Sequence, residues 1–201
     1  MSTVPAKATQ RAEQQRARIL DAARKCFSER GFQGASIAAI AEAAGMSQGL
    51  IYRYFTNKAA IVRAITDGQS VGRRAALDDL RGSDELVDRL LEKIDAWRAG
   101  GEREADSFDP ALFLEITAEA TRDPDIAQVL AGQEQAVWAD FNDFVRRNTR
   151  GAEPDAETLR RRTIVLRCLL DGLIFCYMRD PLIDRAVLRR SLHEALASLA
   201  L

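Results

Sequence analysis

Within Ser47–Lys58 the chain gathers Ser47, Gln48, Gly49, Leu50, Tyr52, Arg53, Tyr54 and Lys58, groups better suited to holding a nucleic acid than to breaking bonds. A Gln amide can pair with adenine and an Arg guanidinium with guanine in a major groove, while Tyr and Lys can hold phosphates. Gly49 permits close approach. Groups that enzymes use are scarce elsewhere. His193 is the only histidine, so neither a His-based zinc site nor a Ser–His pair is available. Cys168 and Cys176 lie eight apart, about 80° around one helix, which leaves a redox pair open beside simple apolar packing. Glu115 and Glu119 fall one turn apart. Paired carboxylates can do acid–base work, and a solvated or salt-bridged face is the other reading. No cofactor, metal or catalytic group is expected.

Positioning the cluster calls for two short helices. Ser36 can cap a helix of barely two turns, which Gly45 ends, because glycine tolerates the left-handed backbone of a tight stop. Ser47 can cap the next helix at once. Neither serine has Glu or Gln three residues later, so these are simple caps. Helices joined by about three residues cross steeply, as in a helix-turn-helix. At 100° per residue, Ile51 and Phe55 point inward, with Ile40, Ala44 and Met46 as expected neighbours. Gly49 and Arg53 then point outward, flanked by Leu50 and Tyr52, with Gln48 at the shoulder. Spacing alone is shared with helical hairpins whose outer face is merely polar.

The remaining periodicity is also helical. Ile19, Leu20, Ala23 and Phe27 make an amphipathic stripe on a first helix that should end at Gly31. Helices are expected near 9–30, 36–43, 47–54, 57–80, 84–99, 110–122, 124–149, 155–179 and 184–200, with Gly68 and Gly72 as sites of shortening or kinking in the fourth. Gly100-Gly101 and 151–154 are the clearest breaks. Asp109-Pro110 and Asp123-Pro124 read as caps followed by a first-position proline, and Asp180-Pro181 as a helix stop. The fold class is all-α with about nine helices: a three-helix N-terminal domain over 1–56 and a helical domain over 57–201.

Composition supports an ordinary globular protein of 201 residues, 47% apolar and 29% charged. No stretch approaches a membrane span, and the polar, basic first 18 residues do not suggest a signal peptide. Three cysteines, Cys26, Cys168 and Cys176, sit in apolar stretches where thiols pack as small hydrophobes, fitting a reduced, cytoplasmic setting. Charge is unevenly shared. Residues 1–60 hold nine basic and four acidic residues, a net of +5; the rest holds twenty and twenty-six, a net of −6. Such a split fits one part that meets phosphates and another that does not.

The stretch through Ile40-Ala41, Ala44-Gly45-Met46-Ser47, Ile51-Tyr52 and Phe55 to Lys58 resembles the DNA-binding signature of the TetR family of bacterial regulators. With the first helix, the resemblance covers about residues 11–65. A looser similarity surrounds Phe113-Leu-Glu-Ile and Ala120-Thr-Arg-Asp-Pro124. The resemblance implies a homodimer on double-stranded DNA bearing a pseudo-palindromic operator, with repression relieved by a small molecule. It makes Tyr52 a contact to the DNA backbone and Lys58 a phosphate anchor, and places Ser47, Gln48, Gly49 and Arg53 among recognition-helix contacts. Ser36 caps a helix whose amides can face a phosphate. Leu50 stands where Ser or Thr is frequent, suggesting contact with a thymine methyl, and Ala38 stands where some members carry a base-reading side chain. Arg11, Arg16 and Arg18 could reach phosphates or simply be solvated.

The aromatic residues Trp97, Phe113, Trp138, Phe141 and Phe175 read either as core or, by the resemblance, as walls of a pocket for an apolar or aromatic effector. Leu166, Leu170, Leu173, Leu188, Leu192, Leu196 and Leu199 carry more apolar surface than a free helical pair should expose, and the resemblance assigns it to a dimer interface. An all-α enzyme or carrier, and a protein-interaction module, are the rival classes.

Overall fold

Nine α-helices and no strand make up the described residues of the computed structural model, which are 4–99, 108–180 and 182–201. They are α1 (Val4–Gly34), α2 (Ile37–Ala44), α3 (Gln48–Tyr54), α4 (Lys58–Asp78), α5 (Ser83–Ala99), α6 (Pro110–Ala120), α7 (Pro124–Asn148), α8 (Ala156–Arg179) and α9 (Arg185–Ser198). The Gly100-Gly101 break and Pro181 lie outside the described residues. Gly68 and Gly72 neither shorten nor kink α4, which runs on through both. Asp109 and Asp123 cap α6 and α7 ahead of their prolines, Asp109 accepting from Ala111 N at 2.9 Å and Asp123 from Asp125 N at 2.9 Å. Asp180 closes α8, and Asp184 opens α9.

The described residues form two compact units. One draws on 1–69 and 105–133, the other on 70–104 and 134–201. In the first, the α1 stripe is fully buried at Ile19, Ala23 and Phe27, against Ile40 of α2, Ile51 of α3, Ile61 and Ile65 of α4, and Leu112 of α6. Each of the isoleucine, leucine and phenylalanine side chains contributes about 1.5–3 kcal/mol by leaving water. α1 breaks at Gly31, whose φ of 69° and ψ of 170° depart from the helix. That region of backbone space belongs almost wholly to glycine.

The second unit buries the leucines of α8 and α9 in its own interior. Leu166, Leu173, Leu188, Leu192, Leu196 and Leu199 join Leu91 and Ile94 of α5 and Phe144 of α7. Their stripes therefore face the unit's core, and the large apolar side chains left exposed on these two helices are Ile164, Val165, Phe175, Met178 and Val187. Asp140 is buried and takes the Arg73 guanidinium at 2.9 and 3.1 Å. His193 bridges α9 to Asp84 at 3.1 Å. Cys26 is buried as expected, but Cys168 and Cys176 are exposed. Apolar neighbours in sequence misled there: both thiols share the side of α8 that carries Val165 and Phe175, not the side of Leu166 and Leu173.

A side chain at position 31 would be strained by its backbone and would bring Cβ within 3.3 Å of the Glu115 carboxylate. Gly31→Ala should lower unfolding free energy by about 1–3 kcal/mol in urea titration; an unchanged midpoint would contradict this account.

Candidate nucleic-acid interface

α2 and α3 hold eight and seven residues, too few to persist alone, so their ends decide their geometry. The Ser36 hydroxyl accepts from Ala39 N at 3.1 Å and the Ser47 hydroxyl from Leu50 N at 3.2 Å. Between them Gly45 adopts φ 62°, ψ 40°, while Gly45 N donates to Glu42 O and Met46 N to Ala41 O. These two bonds are the Schellman closure, which fixes the turn with no loop to spare. Arg18 of α1 adds a third restraint, its guanidinium donating to Ala44 O at 2.7 Å. Beside the two roles the sequence leaves open for Arg18, phosphate contact and solvation, the structure adds a third: it serves the turn. Arg16 lies with its guanidinium 4.5 Å above the Phe55 ring, at the C-cap of α3.

The faces of α3 separate cleanly. Ile51 and Phe55 are buried. Gln48, Gly49, Tyr52 and Arg53 are exposed, Leu50 is half-buried, and Tyr52 keeps 53% of its surface. Nothing lies within 4 Å of where a Gly49 side chain would begin. Ser36 and Ser47 are exposed at the two helix starts. Tyr54 is half-buried and packs on the core of its unit, so it belongs to the scaffold side of α3. Met46 packs against the same core, half-buried.

Lys58 opens α4, where Asn57 caps the helix by accepting from Ala60 N at 2.8 Å. Its ammonium donates to Phe32 O at 2.7 Å and lies 4.0 Å from the Phe32 ring centroid. Burial lowers its pKa from the usual lysine range, and the negative charges of Glu119 and Asp123 pull it partly back. Glu115 is half-buried and Glu119 buried, and the salt-bridged reading holds for Glu119, which pairs with Arg122 at 3.3 Å. Glu115 accepts from Phe32 N at 3.1 Å, and Glu119, buried, accepts from the Gln33 amide and from Arg122. Sequence reasoning missed this arrangement because the partners are 83 and 86 residues away. One signal was present: two carboxylates a turn apart on an otherwise largely apolar helix of 11 residues need buried partners.

The aromatic residues are dispersed. Phe113 belongs to the first unit, its ring 5.4 Å from Phe108. In the second unit Trp97 sits 5.4 Å from Tyr177, Phe141 packs on the core, and the Arg167 guanidinium covers Trp138 at 4.8 Å while pairing with Glu134. Phe175 is half exposed and lines a cavity of about 370 Å³ with Cys176, Arg179, Asp180 and Ile183. None of the other four predicted pocket aromatics lines it. A cleft of about 540 Å³ between α1 and α2 is charged, lined by Arg18, Asp21, Lys25, Glu29, Arg30 and Glu42 among others. Among the described residues no helix is long and apolar enough to cross a membrane.

Comparison with known proteins bears on this geometry. Residues 19–65 match the family described as "Bacterial regulatory proteins, tetR family", and residues 102–201 match "BetI-type transcriptional repressor, C-terminal". The chain is 32% identical over 148 residues to the HTH-type transcriptional regulator UidR of Escherichia coli, covering 73% of this chain and 70% of UidR. It is 31% identical over 159 residues to the HTH-type transcriptional repressor Rv1474c of Mycobacterium tuberculosis, covering 78% and 76%. Among solved structures, Salmonella enterica GusR superposes with a TM-score of 0.66 at 27% identity, covering 91% of this chain and 95% of that one.

Because the Gly49 position is open, adding a methyl group leaves the fold untouched but occupies the space through which a groove would approach. Gly49→Ala should keep or slightly raise the melting temperature, as expected for an exposed helical Gly→Ala change of about 0.5–1 kcal/mol. Retention on the protein's own upstream DNA should drop at least tenfold. Unchanged retention would remove Gly49 from the interface.

Proposed function

Since the chain belongs to the tetR family of bacterial regulatory proteins, we propose that it represses transcription as a homodimer that sets two copies of α3 into successive major grooves, about one helical turn (~34 Å) apart. Regulators of this family bind operator DNA, dimerise and take small-molecule effectors. They are not enzymes. The observation that carries the reading is the division of α3 itself: Gln48, Gly49, Tyr52 and Arg53 stay in solvent while Ile51 and Phe55 anchor the helix.

Roles follow from that division. Gln48 and Arg53 read base edges, Leu50 meets a thymine methyl, and Tyr52, Ser47 and Lys58 hold the backbone on either side. The α2 amides behind Ser36 face a further phosphate. Residues 1–56 carry DNA binding, joined by Lys58 at the start of α4, and the rest of 57–201 carries effector binding and dimerisation. Dimerisation uses the outer side of α8 with Val187 of α9, because Ile164, Val165 and Met178 leave an apolar surface that water alone would cover at a cost. The effector is apolar or aromatic and bound in the second unit, with Trp97, Trp138, Phe141 and Phe175 as the residues offered to it. An effector that releases DNA must prefer the non-binding form, and near-complete switching requires roughly 10⁴-fold preference. The protein acts in the cytoplasm, where its promoter is.

Arg53→Ala should weaken binding to the protein's own upstream DNA roughly 5- to 150-fold, the range for losing a bidentate base contact. Dimer mass in solution and melting temperature should stay at wild-type values. Wild-type protein with no salt-sensitive preference for any fragment over bulk DNA would refute the reading.

A further inference from the structure

We propose that Glu115 is a positioning residue for DNA binding, acting through Phe32 on the ammonium of Lys58. The inference rests on the reading above in one respect, that Lys58 meets a phosphate. Beyond that it depends on how a single residue is held. Gly31 breaks α1, and Phe32, immediately after it, is 2% exposed. A buried residue at a helix break must find partners for both backbone polar groups. The N–H of Phe32 goes to the Glu115 carboxylate of α6 at 3.1 Å, and its C=O takes the Lys58 ammonium of α4 at 2.7 Å. Its ring is held as well, stacked on Phe27 at 5.2 Å and with the ammonium 4.0 Å from its centroid.

This arrangement does more than tie helices together. An ammonium has three N–H donors on a flexible four-carbon stem, and by itself it points nowhere in particular. Here one donor is committed to a carbonyl and the charge rests on a ring face, so the direction of what remains is set by where Phe32 stands. Phe32 in turn stands where Glu115 holds it. Two neighbouring contacts brace the same end of α1 against α6: Ser28 donates to Asp109 at 3.1 Å, and the Gln33 amide donates to buried Glu119. A shift of α6 therefore reaches a phosphate anchor through one residue, with no chain of side chains between.

The test uses the full chain, a duplex from its own upstream region, and a random-sequence duplex, with affinity followed from 50 to 200 mM salt. Lys58→Met should weaken both duplexes by a similar factor, about tenfold, and flatten the salt dependence by about one unit per protomer. Glu115→Ala should flatten it in the same direction with the base preference assigned to Arg53 intact, and Glu115→Gln, which keeps an acceptor for Phe32 N, should restore most of the slope. The double variant Lys58→Met/Glu115→Ala should bind no more weakly than Lys58→Met alone, because the two act on one contact. Should Glu115→Ala not fold, Glu115→Asp, which only withdraws the oxygen, should give a partial flattening. A wild-type slope in Glu115→Ala or Glu115→Asp, or additive losses in the double variant, overturns the inference. If Lys58→Met keeps the wild-type slope while Arg53→Ala loses operator preference, the inference falls and the interface on α3 stands. If Arg53→Ala also binds normally, the interface reading itself is wrong.

Discussion

Helices of eight and seven residues cannot hold themselves together in water, because nucleation consumes most of what so few hydrogen bonds return. Everything at the DNA-facing end of this protein depends on overcoming that constraint. Ser36, Gly45 and Ser47 close the helix ends, Arg18 draws in the last carbonyl of α2, and Ile40, Ile51 and Phe55 bury the inner faces. The turn between α2 and α3 is consequently short and over-determined, and α3 is presented at one angle. A looser turn would leave the same side chains at the surface with no fixed relation to a groove.

The first unit shows how polar contacts extend this rigidity beyond the turn. α6 carries carboxylates, Glu115 and Glu119, on a segment that is otherwise largely apolar, and both are turned onto the end of α1. Buried charge is costly unless its partners are in place. Glu119 meets that condition with Gln33 and Arg122 and with the nearby Lys58 charge. The arrangement therefore favours one register between α1 and α6 over neighbouring ones, and displacement by even a fraction of a turn would strand a carboxylate. Apolar packing alone is more forgiving of small slides.

Much of this was legible in the sequence, for reasons that can be named. All nine helices follow from apolar spacing and punctuation; Ser36, Gly45, Ser47, Asp109 and Asp123 act where local chemistry alone puts them. The inner and outer faces of α3 follow from its period. What was not legible depended on partners distant along the chain. The fates of Arg18 and Glu115 were open because a side chain's sequence neighbours do not reveal a carbonyl or an amide brought in by another helix. Cys168 and Cys176 misled for a related reason: an apolar neighbourhood in sequence is spread around a helix, so it does not say which side a thiol shares. The leucines of α8 and α9 show the same limit, since periodicity identifies an apolar stripe but not what covers it. For Trp97, Phe113, Trp138, Phe141 and Phe175, residue type alone could not decide whether they would converge.

The open outer face of α3 has a consequence for how such a protein can change over generations. Gln48, Gly49, Tyr52 and Arg53 have no role in the buried core of their unit, and exposed substitutions away from core and caps typically alter stability by no more than about 0.5 kcal/mol. Mutation can therefore explore new DNA preferences there without first crossing a folding threshold, whereas Ile51, Phe55 and Gly45, one to three residues away, are closed to the same drift. A duplicated gene could acquire a new target through changes at four positions on one short helix and keep its architecture.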